Sequence, residues 1–125
     1  SNICTNQGLM VTASTIHMSL LGAEGLERVA LHSHQNTAQL RDKLTALDGV
    51  EQVFHTPFFH EVVIKLSADL NTVMDKLHAQ NMLPGYALQE EYPELENCLL
   101  VCATETKTEQ DIDTYVGHLQ NILSH

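Results

Sequence analysis

Apolar residues recur at helical spacing over the first 47 positions of the chain, in two stretches separated by Gly22. The first stretch, at about residues 5–21, places apolar side chains three or four positions apart with few charges, as expected for a mostly buried helix. The second, at about residues 24–47, keeps its apolar side chains on one stripe and its charges off that stripe. We therefore predict two helices, the first ended or bent by Gly22 and the second ended at Gly49.

The central part of the chain changes to the two-residue repeat of β-strands. Apolar and other residues alternate at 61–66, after a short strand-like stretch at 50–55. A further short strand is predicted at 83–87. The uninterrupted apolar run at 98–103 indicates a central strand buried on both faces, so its two cysteines are predicted to be buried thiols.

Capping signals mark two more helices. Ser67 or Asp69 can cap a helix over residues 70–81. Thr108, with Asp111 three positions on, has the pattern of a capping box and begins an amphipathic last helix. The resulting order predicts one α/β domain over residues 1–125, with a largely antiparallel sheet covered by helices on one side.

The composition is typical of a folded domain and limits the classes of partner that we expect it to bind. The 125 residues are 43% hydrophobic, and sixteen acidic against six basic residues give a formal net charge of −10. Because phosphate backbones are bound by clustered cations, nucleic acid is not an expected partner. No apolar stretch reaches the ~20 residues that cross a bilayer, so we expect a soluble, cytoplasmic protein with no membrane partner.

The side chains that commonly carry chemistry form no familiar motif. The eight histidines lack metal-ligand spacing, although His55, His60 and Glu61 could converge, and no metal site is predicted. Phosphate-binding glycine loops and a nucleophile elbow are missing, and the four lysines are predicted to be solvated. Three cysteines, an odd number, do not build a disulfide framework.

Two polar clusters supply the candidate binding residues. The first is the start of the chain, whose side chains either cap the first helix or contact an anionic ligand. Its members are Asn2, Thr5 and Asn6. The second flanks the buried strand, where functional groups often gather in α/β folds. Its members are Glu96, Asn97, Thr104 and Glu105.

Four separated motifs together resemble a known family. They are SNICTNQ at 1–7, GAEGL at 22–26, PFFHE at 57–61 and EYPELENCLLVCATE at 91–105. Over essentially the whole chain they are similar to the C-terminal part of the alpha subunit (subunit 1) of the glycine decarboxylase P-protein family, which serves the glycine cleavage system. The chain has His60 where the family's FFNE pattern has Asn.

The resemblance implies the small C-terminal domain of a fold type I pyridoxal-phosphate enzyme, with the large domain outside these 125 residues. The family decarboxylates glycine with pyridoxal phosphate and passes the aminomethyl group to the lipoylated H-protein. Its Schiff-base lysine belongs to the beta subunit (subunit 2) of a heterotetramer. The resemblance therefore implies that this chain alone binds no cofactor and has no activity, and that it supports catalysis in the full complex.

The resemblance also carries over to the two polar clusters. Asn2, Thr5 and Asn6 resemble the family's polar helix start near the junction of the domains, and the second cluster resembles the ends of its central strand. Related aminotransferases bind the substrate carboxylate with an arginine of the small domain. Arg28 and Arg41 do not match that place, so no catalytic residue is assigned.

A second hypothesis is a free-standing α/β module that binds a small ligand or dimerises. The apolar first helix favours the decarboxylase hypothesis, because that helix needs something outside the segment to cover it.

Overall fold

A long helix with a break at Gly22 opens the fold. The computed structural model describes residues 7–124. Helix α1 covers Gly8–Thr45, and at Gly22 the backbone leaves helical geometry, with φ 65° and ψ −177°. Because this combination is essentially restricted to glycine, Gly22 fixes the position of the break. The predicted pair of helices with a bend at Gly22 is confirmed, as two halves of one element. The prediction that the first of them is mostly buried is wrong for the described chain, in which residues 8–20 are exposed.

Four strands form an antiparallel sheet in the order β1-β2-β4-β3. They are β1 (Val50–Gln52), β2 (Glu61–Leu66), β3 (Tyr86–Ala87) and β4 (Cys98–Cys102). The predicted antiparallel sheet and the interior position of β4 are confirmed.

The outer strand β3 is shorter than the stretch predicted from the sequence. Pro84 has no amide hydrogen to donate to a neighbouring strand. Gly85, at φ 143°, lies so close to β4 that a Cβ there would meet the Leu100 carbonyl oxygen at 2.3 Å. These two residues prevent β3 from starting before Tyr86.

Helix α2 covers Leu70–His78 and helix α3 covers Glu109–Leu123. The Asp69 carboxylate accepts a hydrogen bond from Thr72 N at 2.8 Å, which confirms one of the two predicted caps of α2. The Thr108 hydroxyl accepts from Asp111 N at 3.2 Å, and the Asp111 carboxylate accepts from Thr108 N at 2.8 Å. The capping box of α3 is therefore confirmed. A single 3₁₀ turn, Pro93–Leu95, precedes β4 in the acidic segment.

The core lies on one face of the sheet, beneath all three helices. Its buried members come from the second half of α1, from α2, from α3 and from alternate strand positions. They include Leu40, Leu44, Val62, Ile64, Leu70, Leu77, Leu99, Val101, Ile112 and Leu119. Burying each large aliphatic side chain stabilises the fold by ~1.5–3 kcal/mol.

The opposite face of the sheet is largely open, which corrects the prediction for β4. Cys98 is 2% exposed, Leu100 is half-buried and Cys102 is exposed. The run is apolar throughout, but the helices pack only on the face that Leu99 and Val101 share. The prediction of burial on both faces is therefore wrong beyond the start of the strand, and the prediction of a buried thiol is wrong for Cys102.

Within residues 7–124 no helix combines the length and the apolar character needed to cross a membrane.

Candidate functional site

The turn at residues 57–61 is fastened to α1 by polar and aromatic contacts. His34 Nδ1 lies 2.9 Å from the Phe59 carbonyl oxygen, and the Thr37 hydroxyl lies 3.0 Å from the His60 carbonyl oxygen. The Arg41 guanidinium stands 4.9 Å above the ring of Phe58, a cation–π geometry. α1 therefore fixes the start of β2 through contacts to three successive residues.

His60 occupies an unusual position in this turn. Its ring packs edge-on against Phe59 with the centroids 4.7 Å apart, and its Nδ1 is buried with no hydrogen-bond partner among the described residues. A buried polar atom without a partner is destabilising. His55, His60 and Glu61, which could have converged, do not form a metal site: within positions 7–124 no three His, Cys, Asp or Glu residues are gathered to hold an ion.

The loop after β4 is tied to the same side of α1. Asn36 Nδ2 donates to the Thr104 carbonyl at 2.9 Å and to the Lys107 carbonyl at 2.8 Å. Ser33 Oγ accepts from Glu105 N at 3.1 Å and lies 3.3 Å from the Glu105 carboxylate. The backbone of this loop is therefore held by α1, while Glu105 is exposed and Thr104 is half-buried.

Three polar side chains of α1 make the contacts to the turn and to the loop. They belong to Ser33, Asn36 and Thr37, which we call the polar seam of α1. Ser33 and Thr37 are the two buried polar residues of the described core, with 5% and 0% exposure. None of these three residues is among the binding residues predicted from the sequence. Their spacing in the sequence could have identified them, because positions 33, 36 and 37 share one helix face with Leu40 and Leu44.

The other end of β4 has a different role. Asn97 has a left-handed backbone with φ 58°, and its side-chain oxygen accepts from Leu70 N, the first residue of α2, at 3.1 Å. Its carbonyl oxygen accepts from Leu66 N at 3.0 Å. Asn97 thereby joins the end of β2 to the start of α2. Glu96 beside it is exposed.

The structure does not gather the predicted site residues in one place. Glu96 and Asn97 lie at one end of β4 and Thr104 and Glu105 beyond the other, with the whole strand, which spans ~13 Å, between them. Asn2, Thr5 and Asn6 lie outside the described residues. Gln7, which precedes α1, makes no side-chain capping hydrogen bond.

A groove of about 450 Å³ lies between α3, the end of β4 and the segment before β3. Val101, Ile112 and Leu83 contribute apolar surface to it, and Lys107 and Asp111 contribute charge of opposite sign. The Tyr115 hydroxyl on its wall donates to the Pro84 carbonyl at 2.8 Å, and burial raises the pKa of this phenol. Tyr115 therefore acts as a structural donor and stays protonated at neutral pH.

Among residues 7–124, the lysines and the two cysteines are not arranged for covalent chemistry. Lys43 is paired with Asp113 and lies 3.8 Å from Glu109, while Lys65, Lys76 and Lys107 are exposed. Burial raises the pKa of the Cys98 thiol, and burial together with the nearby Glu61 carboxylate raises that of the Cys102 thiol. Neither thiol is activated as a thiolate nucleophile.

Several known proteins are similar in sequence to this chain over nearly its full length. The family model described as the glycine cleavage system P-protein matches residues 1–119. "Probable glycine dehydrogenase (decarboxylating) subunit 1" of Nitrosomonas europaea is 57% identical over 124 residues, which are 99% of this chain and 27% of that relative. The protein of the same name from Legionella pneumophila is 53% identical, again over 99% of this chain and 27% of its own length. The chain thus spans about a quarter of these relatives.

Two solved structures share the fold. A crystal structure of glycine decarboxylase (P-protein) of the glycine cleavage system, in inhibitor-bound form, superposes with a TM-score of 0.88 and 32% identity over 98% of this chain and 28% of that one. The aminotransferase TlmJ from Streptoalloteichus hindustanus superposes with a TM-score of 0.59 over 83% of this chain and 35% of its own, at 15% identity. The second likeness concerns the fold alone.

Proposed function

This chain belongs to the glycine cleavage system P-protein family, and on that premise we propose that it is the small C-terminal domain of subunit 1 of a decarboxylating glycine dehydrogenase. The observation that carries the proposal is the agreement of sequence and fold over almost all of the chain with about a quarter of longer P-proteins. In this proposal the large domain belongs to the remaining length of the subunit.

The activity we propose for the complete assembly is decarboxylation of glycine with transfer of the aminomethyl group to the lipoyl arm of the H-protein. Pyridoxal phosphate, when bound, supplies the electron sink for this chemistry. The described residues do not fit that cofactor. A Schiff-base lysine needs a desolvated amine, whereas three of the four lysines are exposed and Lys43 is engaged by Asp113 and Glu109. We therefore propose that subunit 2 holds the cofactor.

In our proposal, this chain supports catalysis by holding segments of the subunit in position. The polar seam of α1 fixes both the turn at 57–61 and the loop at 103–107, so the two segments form one rigid end of the sheet. We propose Thr104 and Glu105, together with Asn2, Thr5 and Asn6, as residues at the junction with the rest of the subunit. Asn97 supports the fold instead, because its side chain caps α2. The partners in this scheme are subunit 2, in a cytoplasmic heterotetramer, and the lipoylated H-protein.

The test uses a chimeric subunit, in which these 125 residues replace the matching segment of the Nitrosomonas europaea relative. Exchange of the glycine carboxyl with labelled bicarbonate is measured with pyridoxal phosphate, with and without subunit 2. We expect exchange only when both subunits are present, and no stoichiometric cofactor absorbance from the 125-residue chain alone.

Two results would contradict the proposal. Cofactor bound by the isolated chain would place pyridoxal phosphate in this domain. No exchange in the mixture of folded, cofactor-loaded subunits would favour the alternative of a ligand-binding module, with the 450 Å³ groove as its site.

A further inference from the structure

One buried polar atom of the described chain lacks a hydrogen bond. Among the side-chain nitrogens and oxygens of residues 7–124, only His60 Nδ1 is both buried and without a partner. The buried hydroxyls of Ser33 and Thr37, by contrast, both form hydrogen bonds. Proteins break such packing rules mainly at functional sites. His60 is therefore a candidate for a role that the packing of this domain does not explain.

The two ring nitrogens of His60 have different surroundings. The residue as a whole is half-buried, and Nε2 is neither buried nor bonded to any of residues 7–124. The ring packs against Phe59 at an interplanar angle of 86°, and the Thr37 hydroxyl lies 3.0 Å from the His60 carbonyl oxygen. These contacts orient the imidazole with Nδ1 inward and Nε2 at the surface.

This orientation determines which nitrogen carries the proton. A neutral imidazole has one N–H donor and one nitrogen that only accepts. A proton on Nδ1 would be a buried donor without an acceptor, whereas a proton on Nε2 stays within reach of water or of another protein group. The neutral ring is therefore the Nε2–H tautomer, and it presents a hydrogen-bond donor at the surface.

The surface donor lies at the end of the sheet that holds the proposed junction residues. The antiparallel pairing of β2 with β4 places His60 beside Ala103. The Thr37 hydroxyl connects the two, because it lies 3.0 Å from the carbonyl oxygen of His60 and 2.8 Å from that of Ala103. His60 Nε2 is therefore next to the loop at 103–107.

We propose that His60 is a positioning residue, whose Nε2–H donates a hydrogen bond to a protein oxygen across the junction while its Nδ1 lowers the stability of the domain itself. The inference rests on the proposed function, because it takes this end of the sheet to face the rest of the assembly. The acceptor is a carbonyl or carboxylate oxygen, either of the same subunit or of subunit 2. The experiment separates these two sources.

Three substitutions separate a contact at the junction from a role in folding. His60→Gln carries an amide nitrogen that can reach the position of Nε2 and so keeps the donor. His60→Leu removes both nitrogens at similar size. His55→Leu, at an exposed position of the preceding loop, is the matched control. Exchange of the glycine carboxyl with labelled bicarbonate is measured in the chimeric subunit with subunit 2, and urea unfolding is measured on the 125-residue chain.

The two measurements should change in opposite directions for His60→Leu. We expect exchange to fall at least ~10-fold, as for the loss of one hydrogen bond. The urea midpoint of the chain should be equal to that of the wild type or higher, because an unpaired buried nitrogen is removed. His60→Gln should keep exchange within ~3-fold of the wild type, and His55→Leu should change neither quantity.

Chemical modification of the unsubstituted protein locates the acceptor. Diethylpyrocarbonate should modify His60 at least ~10-fold more slowly in the assembly than in the 125-residue chain, with His78, exposed on α2, as the internal control. Protection in the chimeric subunit alone assigns the acceptor to the same subunit, and protection that needs subunit 2 assigns it to subunit 2. The imidazole ¹⁵N chemical shifts of the chain at neutral pH should show the Nε2–H tautomer.

Four results would overturn the inference. They are unchanged exchange in His60→Leu, a urea midpoint of that variant below the wild type, an Nδ1–H tautomer, and equal modification of His60 in the chain and in the assembly. A wild-type chimera that folds but does not catalyse exchange rejects the proposed function. Protection of His60 together with an undiminished midpoint of His60→Leu would still support the inference in that case.

Discussion

Thr37 closes a hydrogen-bonded ring with the backbone of Ala103. Its hydroxyl accepts from Ala103 N at 3.2 Å, and its one proton can be donated either to the Ala103 carbonyl oxygen at 2.8 Å or to the His60 carbonyl oxygen at 3.0 Å. Both residues are buried, with 0% and 2% exposure. A single side chain therefore satisfies the backbone of β4 at the point where the strand ends against α1.

Removing this hydroxyl should cost far more than removing the methyl group beside it. Thr37→Val leaves the buried N–H and carbonyl of Ala103 without their partner, and we expect a loss of about 2–3 kcal/mol in the free energy of unfolding. Thr37→Ser keeps the hydroxyl and should lose only about 1 kcal/mol. Urea unfolding of the two variants measures the difference. A valine variant as stable as the serine variant would show that the ring contributes little.

Asn97 should prove to be a stability residue. Asn97→Ala removes the acceptor of the Leu70 N–H at the start of α2 and places alanine at φ 58°, which together should cost about 2 kcal/mol. Asn97→Gly relieves the backbone strain and should cost about 1 kcal/mol less than alanine. Glu96→Ala, at the exposed neighbouring position, is the control and should change stability by less than about 0.5 kcal/mol. Thermal unfolding that leaves Asn97→Ala at the wild-type midpoint would contradict the cap.

We expect the stability of the fold to fall in acid, because two carboxylates cap its helices. Hydrogen bonds from the side chain and backbone of Thr72 lower the pKa of Asp69 below its usual 3.8, and those from the backbone and side chain of Thr108 lower that of Asp111. The pKa values of both carboxyl groups are lower in the folded protein than in the unfolded chain. The stability that the two carboxylates contribute is therefore complete above pH 3.8 and is lost as the pH falls through the folded pKa values.

The double variant Asp69→Asn/Asp111→Asn should therefore lose less stability than the wild type between pH 5 and pH 2. Urea midpoints at several pH values measure this. The variant Glu90→Gln/Glu94→Gln removes the same number of carboxylates from exposed positions and should keep the wild-type pH profile. Parallel profiles for the wild type and the aspartate variant would exclude the caps as the source.

The two cysteines of β4 should differ in reactivity. In a Cys4→Ser background, Ellman's reagent should modify Cys102 in the folded protein and Cys98 only on unfolding, because only Cys102 is exposed. Burial and Glu61 raise the pKa of Cys102, so its reaction should accelerate as the pH passes above 9.0. Glu61→Gln should speed it at a fixed pH, and Cys102→Ser should abolish it. Equal labelling of both thiols would contradict the one-sided burial of the sheet.

Local signals predicted the elements of this fold well. The break at Gly22, the Asp69 cap and the Thr108 capping box depend on a few neighbouring residues, and all were readable from the sequence. The apolar run at 98–103 predicted β4 but not its one-sided burial, because periodicity shows which residues are apolar and not where the helices pack.

The candidate site was harder to predict because its contacts join distant parts of the chain. Asn36 and Ser33 reach residues that lie about 70 positions further on, and no local pattern records such pairs. Asn97 was identified as a polar residue at a strand end, but only the structure shows that it is engaged by the first turn of α2.

The short outer strands determine how this protein can associate when it is concentrated. β1 has three residues and β3 has two, and Pro84 and Gly85 prevent β3 from extending at its N-terminal end. Sheet edges this short offer almost no backbone on which a neighbouring molecule could add a strand, so fibrillar stacking has no template. Self-association of the native chain should therefore proceed through side-chain contacts of its apolar helix, and it should reverse on dilution.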